Sequence, residues 1–122
     1  DFAFYKCRNL ISIDIPNNVK TIGAYAFGYT KITSATVPAG VTRIEDGLFN
    51  NCINLETVIF QNGLKEIGKS AFNGCTKLKH IIIPESVTKI APSAFANCTS
   101  LEKVKLPSKL KIINSDILKA QS

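Results

Sequence analysis

The chain has 122 residues, of which 45% are hydrophobic and 20% charged, so it suits one globular domain and excludes a disordered or collagen-like polymer. No apolar run reaches the roughly 18 residues that a membrane-spanning helix needs, so we expect no membrane span. There is one histidine and no Met or Trp, which argues against chemistry that needs several imidazoles.

The formal net charge of +6 is unevenly distributed along the chain. Residues 1–61 are balanced, whereas residues 62–122 carry ten lysines against four carboxylates. Such an asymmetry can mark a surface that binds anions. Because no exposed aromatic residues are interleaved with these lysines to stack on bases, we do not expect a nucleic-acid partner.

The most informative feature is an internal repeat of about 23 residues. Each copy carries a small or aliphatic residue before an aromatic one, at Ala3-Phe4, Ala26-Phe27, Leu48-Phe49, Ala71-Phe72, Ala94-Phe95 and, in degenerate form, Ile117-Leu118. Five further apolar columns keep the same phase. The second copy is one residue short and has Gly28-Tyr29-Thr30 where other copies carry a Cys, which indicates a small deletion in a loop.

Each repeat contains the same predicted elements in chain order. Leu78, Ile81 and Ile83 show the spacing of a strand with one buried face, and Pro84 suits its end because proline cannot donate to a ladder. Two turn residues follow each strand, at Asn17-Asn18, Ala39-Gly40, Asn62-Gly63, Glu85-Ser86 and Ser108-Lys109. A short segment such as 87–90 comes next, and then a tight helical or 3₁₀ turn that carries Ala94-Phe95 inward.

One such unit cannot bury its apolar residues alone, but stacked copies can. We therefore predict that residues 1–122 form one solenoid domain of about five repeats. A continuous parallel ladder would have one strand per repeat, and the Phe column would form the spine of the core. Neither end shows a polar cap, so we also expect the chain to be part of a longer array, or its ends to associate with another copy.

Residues 70–113 resemble the BspA-like class of leucine-rich repeats in their order of Ala-Phe, Cys, Leu, Ile-Pro, Val and Ile, as in SAFNGCTKLKHIIIPESVTKIAPSAFANCTSLEKVKLPSKLKII. The resemblance covers essentially the whole chain. It implies a right-handed solenoid with parallel strands on one face and short turns and loops on the other. It also implies a cell-surface or secreted protein, since several members are adhesins. The departures are the short second repeat, Gln61 in a Pro position and the degenerate last copy.

The four cysteines, Cys7, Cys52, Cys75 and Cys98, each lie three residues after the Phe position. Neighbouring coils could bring them within disulfide range, but the column has no partner column, so buried free thiols are the favoured interpretation. A linear ladder of thiols cannot converge on zinc, and we expect no cofactor.

We expect no enzyme activity. His80 is predicted to point outward between Thr57 and Lys103, without a carboxylate placed to orient it. We also expect neither a phosphate loop nor a calcium site. Asn97-Cys98-Thr99 matches a glycosylation acceptor, but Cys98 falls in a core column.

A binding face is expected on the outward positions of the strands, which form rigid columns across the repeats. Ile59 and Ile82 are adjacent on this face and could form a contact centre, although strand residues chosen for β propensity would look the same. The candidate residues are Thr57, Ile59, Lys79, His80, Ile82, Lys103 and Lys105. The function expected is binding of a protein or glycan at a cell surface; the alternative is a structural spacer without a ligand of its own.

Overall fold

A computed structural model of the chain describes residues 10–13, 15–61, 63–91, 93–105 and 107. The elements in this part of the chain are seven short parallel strands, without a helix: β1 (Ser34–Val37), β2 (Arg43–Ile44), β3 (Thr57–Phe60), β4 (Glu66–Ile67), β5 (His80–Ile82), β6 (Lys89–Ile90) and β7 (Lys103–Lys105). Each strand pairs with one that lies a repeat or more away, β1 with β3, β2 with β4, β4 with β6, and β5 with β7. The predicted repeat solenoid is confirmed.

The odd-numbered strands form the predicted face, with alternate side chains inside and outside. β1 and β3 pair in register from Ser34↔Thr57 to Val37↔Phe60, so the shortened second repeat returns to phase before its strand. Ala35 and Val58 are buried, whereas the partners on either side are exposed. The one-residue deletion lies between Thr30 and Ile32, because Thr30 occupies the buried Cys position.

A second parallel ladder is present that the sequence analysis described only as a short segment. β2, β4 and β6 pair through Ile44, Ile67 and Ile90, which are all buried. The solenoid therefore has hydrogen-bonded strands on two sides, with two residues per coil sufficient on the second side.

The first ladder is interrupted between β3 and β5, where we expected one continuous row. Glu56 N–H donates to the Thr33 carbonyl, and Glu102 N–H donates to the Lys79 carbonyl. No equivalent bond joins Lys79 to Glu56, although these residues all lie in the described part of the chain.

In the turn around Phe49, successive backbone N–H groups donate alternately within the turn and to the next coil. Within the third repeat, the N–H groups of Leu48, Asn50 and Cys52 donate to carbonyls three residues earlier in the same turn. The intervening N–H groups donate instead to the next coil, and Phe49 N–H reaches the Ala71 carbonyl at 2.8 Å. This alternation produces separate turns rather than a 3₁₀ helix, and it joins the coils on the side opposite the strands.

Left-handed backbone recurs at two fixed places around each Phe. The residue two positions after Phe has a positive φ at Tyr29, Asn51, Gly74 and Asn97. The residue two positions before it does so at Tyr25, Gly47 and Ser70. Of these, Gly47 is the tightest, because a Cβ there would lie 2.3 Å from the Tyr25 ring.

The Phe column forms the centre of the core, as predicted. The rings of Phe27, Phe49, Phe72 and Phe95 stack at centroid distances of 5.9, 5.3 and 5.2 Å. The last three are fully buried. The apolar columns predicted from the repeat surround these rings in one continuous cluster. Phe4, Leu118 and the last apolar columns lie outside the described residues.

Candidate functional site

The structure places the predicted site residues on one outward surface, which we call the strand face: the exposed side of β1, β3, β5 and β7. Thr57, Lys79, His80 and Lys105 are exposed. Lys103 lies in β7 opposite His80, and its side chain is outside what the structure describes. The alternation of each strand brings these residues to the same side, since their inward neighbours are held in the core.

Ile59 and Ile82 are the largest apolar groups of this surface. They are 52% and 66% exposed, respectively, although each belongs to a strand whose next residues pack inward. Ile59 pairs in register with Thr36 on one side, and Ile82 pairs with Lys105 on the other. An exposed apolar pair on a rigid ladder is the kind of feature that an interaction surface uses.

A groove runs between β3 and β5, at the interruption of the ladder. Its volume is about 530 Å³, within the range of small-ligand sites, and its lining is largely apolar. The lining residues are Glu56, Thr57, Val58, Ile59, Phe60, His80, Ile81, Ile82 and Pro84. We call this the β3–β5 groove.

A second depression of about 490 Å³ continues from it and is more polar. It shares Glu56, Thr57 and His80 with the β3–β5 groove and adds Lys77, Lys79 and Ser100. The sequence analysis missed Lys77 and Ser100 because they lie in the turn that precedes a strand rather than in an outward strand column. The excess of lysine in the second half of the chain was the available signal.

His80 shares the β3–β5 groove with two groups of the kinds that nucleophilic catalysis uses. Thr57 and Glu56 line the same groove as His80. No hydrogen bond joins the three side chains, all of which belong to the described residues. A nucleophile and its base need a direct hydrogen bond or a mediating water to act together.

The cysteines belong to the core and not to the surface. Cys52, Cys75 and Cys98 are free and buried. Each thiol donates a hydrogen bond to the carbonyl of the Phe in the preceding coil, at 3.1, 3.2 and 3.0 Å. Thr30, in the same column, donates its hydroxyl to the Phe27 carbonyl at 2.8 Å. Cys7 lies outside the described residues.

Burial raises the pKa of these thiols, because it disfavours the charged thiolate. The pKa of Cys52 rises to about 11 and that of Cys98 to about 12, whereas Cys75 lies well above its ordinary value. The thiols are therefore neutral at physiological pH and poor nucleophiles.

A charged cluster lies on the second ladder, away from the strand face. Arg43 pairs with Glu45, Asp46 and Glu66, and Glu66 is in register with Lys89. This alternation of charge along the ladder fits a role in holding the coils in register. Its side chains are more than a third exposed, so each pair contributes little to stability.

Residues 63–70 (GLKEIGKS) have the G-x-x-x-x-G-K-S spacing of a phosphate-binding loop, although we expected no such loop from the sequence. The structure places this segment across β4, with Leu64 and Ile67 buried. Lys69 N–H is already bonded to the Asp46 carboxylate at 2.9 Å. A carboxylate at that position repels a phosphate, so the spacing match does not form a site.

The part of the chain that the structure describes contains no helix that is long and apolar enough to cross a membrane. No three metal-ligating side chains come together there either.

Comparisons with known proteins agree with the fold. A family model for the BspA type leucine rich repeat region matches residues 1–122 in six copies. No match is found among curated proteins.

Three solved structures are similar. A leucine-rich repeat protein from Bacteroides ovatus ATCC 8483 is 42% identical with a TM-score of 0.79, over 86% of this chain and 27% of that one. A leucine rich cell surface protein from Faecalibacterium prausnitzii A2-165 is 28% identical with a TM-score of 0.68, over 90% of this chain and 35% of that one. A T. pallidum leucine-rich repeat protein, 23% identical with a TM-score of 0.57 over 80% of this chain and 59% of that one, shares the fold.

The chain thus spans 27% and 35% of the first two proteins. Repeat modules of this kind are built for protein interaction and are generally non-catalytic. The period, the stacked Phe column and the match over all 122 residues lead to one conclusion: this chain belongs to the BspA-type leucine-rich repeat family.

Proposed function

We propose that this chain is a protein-binding module of a cell-surface protein and that its ligand docks on the strand face. Family membership supports an interaction module, and the surface protein from Faecalibacterium prausnitzii supports the location. The single observation that carries the proposal is the exposed pair Ile59 and Ile82 beside the β3–β5 groove. A rigid surface with an apolar centre loses little conformational freedom on binding.

The proposal includes the whole set of predicted residues on this face, which are Thr57, Ile59, Lys79, His80, Ile82, Lys103 and Lys105. Ile59 and Ile82 would supply the apolar contact and the surrounding polar residues a hydrated rim. This is the usual division of an interface into a dry centre and a polar margin.

The test replaces both isoleucines by Asp, in the variant I59D/I82D. Binding to cultured epithelial cells and to a panel of immobilised matrix proteins is then compared with wild type. Ile53 offers a matched control, because it is 51% exposed but lies in a turn that is not part of the groove. We expect I59D/I82D to bind at least about tenfold more weakly, and I53D to bind as wild type does.

A folded I59D/I82D variant that binds like wild type would favour the alternative function, a structural spacer within a larger surface protein.

The length of the two larger relatives supports placing this chain within a longer array. End-to-end association of copies is a further part of the proposal. Sedimentation velocity on the purified chain tests it, and a monomer at about 100 μM would count against it.

A further inference from the structure

We propose that the β3–β5 groove is a slot for an apolar side chain of an acidic protein segment, and that Phe60 holds this slot open. The inference rests on the proposed function, since it names the chemistry of the partner on the same face. It depends on three observations: a wedge residue, apolar residues on both walls, and cations that make no ion pair with the residues the structure describes.

The wedge is Phe60. Its column carries Val37 and Ile83 in the neighbouring coils, so Phe60 brings a ring to a position that otherwise holds a smaller aliphatic chain. Val37 is in register with Phe60, and that side of β3 is fully paired. The Phe60 ring is only partly buried and lies edge-on to Phe72, which belongs to the next coil, at 6.2 Å. On the β5 side of β3 the ladder is lost, and Phe60 lines the groove there.

The slot that results has apolar residues on both walls: Val58, Ile59 and Phe60 line it from β3, and Ile81 and Ile82 line it from β5. Glu56, Thr57 and His80 complete the lining at its polar end. Two of the apolar residues, Ile59 and Ile82, are more than half exposed. A side chain such as Leu, Ile or Phe would remove this surface from water, whereas a sugar ring carries too many hydroxyl groups to do so.

The charges beside the slot favour an anion. One carboxylate, Glu56, lines both the slot and the polar depression, and Lys79, which lies next to it in the same outward column and also lines the depression, offsets its charge. Lys77 and Lys105 have no such balance: both are exposed, and neither makes an ion pair with any residue that the structure describes. Lys77 lines the polar depression that continues from the slot, and Lys105 is in register with Ile82.

Since the proposed ligand of the strand face is a protein, an occupant that is both apolar and acidic is a segment of that protein. A nucleic acid would supply the charge but would need a row of aromatic side chains on which to stack, and two of the nine residues that line the slot, Phe60 and His80, carry such rings. Carboxylates on either side of one large apolar side chain would meet Lys77 and Lys105 while the side chain enters the slot.

The test uses random dodecapeptides displayed on phage and selected on the wild-type chain, with binders that also bind I59D/I82D removed. We expect the enriched peptides to carry net negative charge and a large apolar residue. The best peptide, made synthetically, should bind about fivefold more weakly when NaCl is raised from 50 to 300 mM, because screening weakens the charge attraction. Enrichment of basic or purely polar peptides, or no enrichment, would overturn the inference.

Two sets of variants separate the charge from the wedge. K77E/K105E should weaken binding of the acidic peptide at least about tenfold, whereas K31E/K65E, which reverses two exposed lysines outside the grooves, should leave it within about twofold. F60V should weaken binding about tenfold and slow amide exchange at residues 80–82, since β3 and β5 can then pair. F60V that folds but binds and exchanges as wild type removes Phe60 from the site.

These outcomes are distinct from a failure of the proposed function. If I59D/I82D abolishes binding to cells or matrix proteins but K77E/K105E and added salt do not weaken it, the strand face is the binding surface and the acidic partner is wrong. If I59D/I82D has no effect, the proposed function itself fails.

Discussion

Replacing Phe72 by Ala is the most direct test of the stacked architecture. The Phe72 ring is fully buried and lies between Phe49 at 5.3 Å and Phe95 at 5.2 Å, with an interplanar angle of 1° to the latter. Phe60 adds an edge-on contact at 6.2 Å. A truncation here removes the middle ring of the column and leaves a cavity that rigid coils on both sides cannot close.

The magnitude follows from the terms that are lost. Truncating a buried Phe to Ala costs roughly 3–5 kcal/mol, which combines the transfer of the ring and the cavity. Stacked pairs contribute about 0.5–1.5 kcal/mol each beyond burial, and Phe72 takes part in two. We therefore expect a loss near the upper end, about 5 kcal/mol. Phe72→Leu keeps most of the volume and should cost about 1–2 kcal/mol.

The assay is urea unfolding followed by circular dichroism, with the slope against urea checked to be the same in each variant. We expect the free energy of unfolding to be highest in wild type, lower in Phe72→Leu and lowest in Phe72→Ala. A Phe72→Ala variant within about 1 kcal/mol of wild type would refute the argument that the rings form a dry column. Exposed Ile53→Ala serves as the control and should change stability by less than about 0.5 kcal/mol.

Three further predictions concern the thiols, a left-handed turn and the charged cluster. Burial raises the pKa of Cys52 to about 11, so this thiol should leave the free energy of unfolding unchanged below about pH 9 and lower it as the pH rises through 11. In urea titrations at pH 8 and 10.5, Cys52→Thr should lose less unfolding free energy between the two pH values than wild type does. An equal loss in the two proteins would contradict this prediction. Gly47→Ala places a Cβ at positive φ and 2.3 Å from the Tyr25 ring, so we expect it to lower the free energy of unfolding by about 2–4 kcal/mol. In a Tyr25→Ala background the same substitution should cost about 1 kcal/mol. An equal cost in both backgrounds would show that the clash with the ring is not the cause. Arg43→Ala should lower stability by less than about 1 kcal/mol, and thermal melts in 1 M NaCl should remove the difference; a larger, salt-independent loss would show that Arg43 acts by packing.

Much of the proposed binding surface could be anticipated from the sequence, because outward positions follow directly from strand alternation. Ile59, His80 and Ile82 were expected to be exposed, and they are. Lys77 was not anticipated, since a turn residue has no fixed direction until the coil is folded. Phe60 was read as an ordinary member of an apolar column, although its ring lies at the interruption of the ladder.

The sequence by itself determined that the coils stack, because the 23-residue period and the strand alternation recur in every repeat, and one repeat alone cannot bury its apolar residues. It determined the Phe column and the buried thiols for the same reason. Only the tertiary structure decided which rungs are hydrogen-bonded, where the ladder opens between β3 and β5, and which carbonyl each thiol reaches. These features depend on how side chains of neighbouring coils pack against one another, as Phe60 does against Phe72. The sequence of one repeat does not specify the size of the side chains that it meets in the next coil.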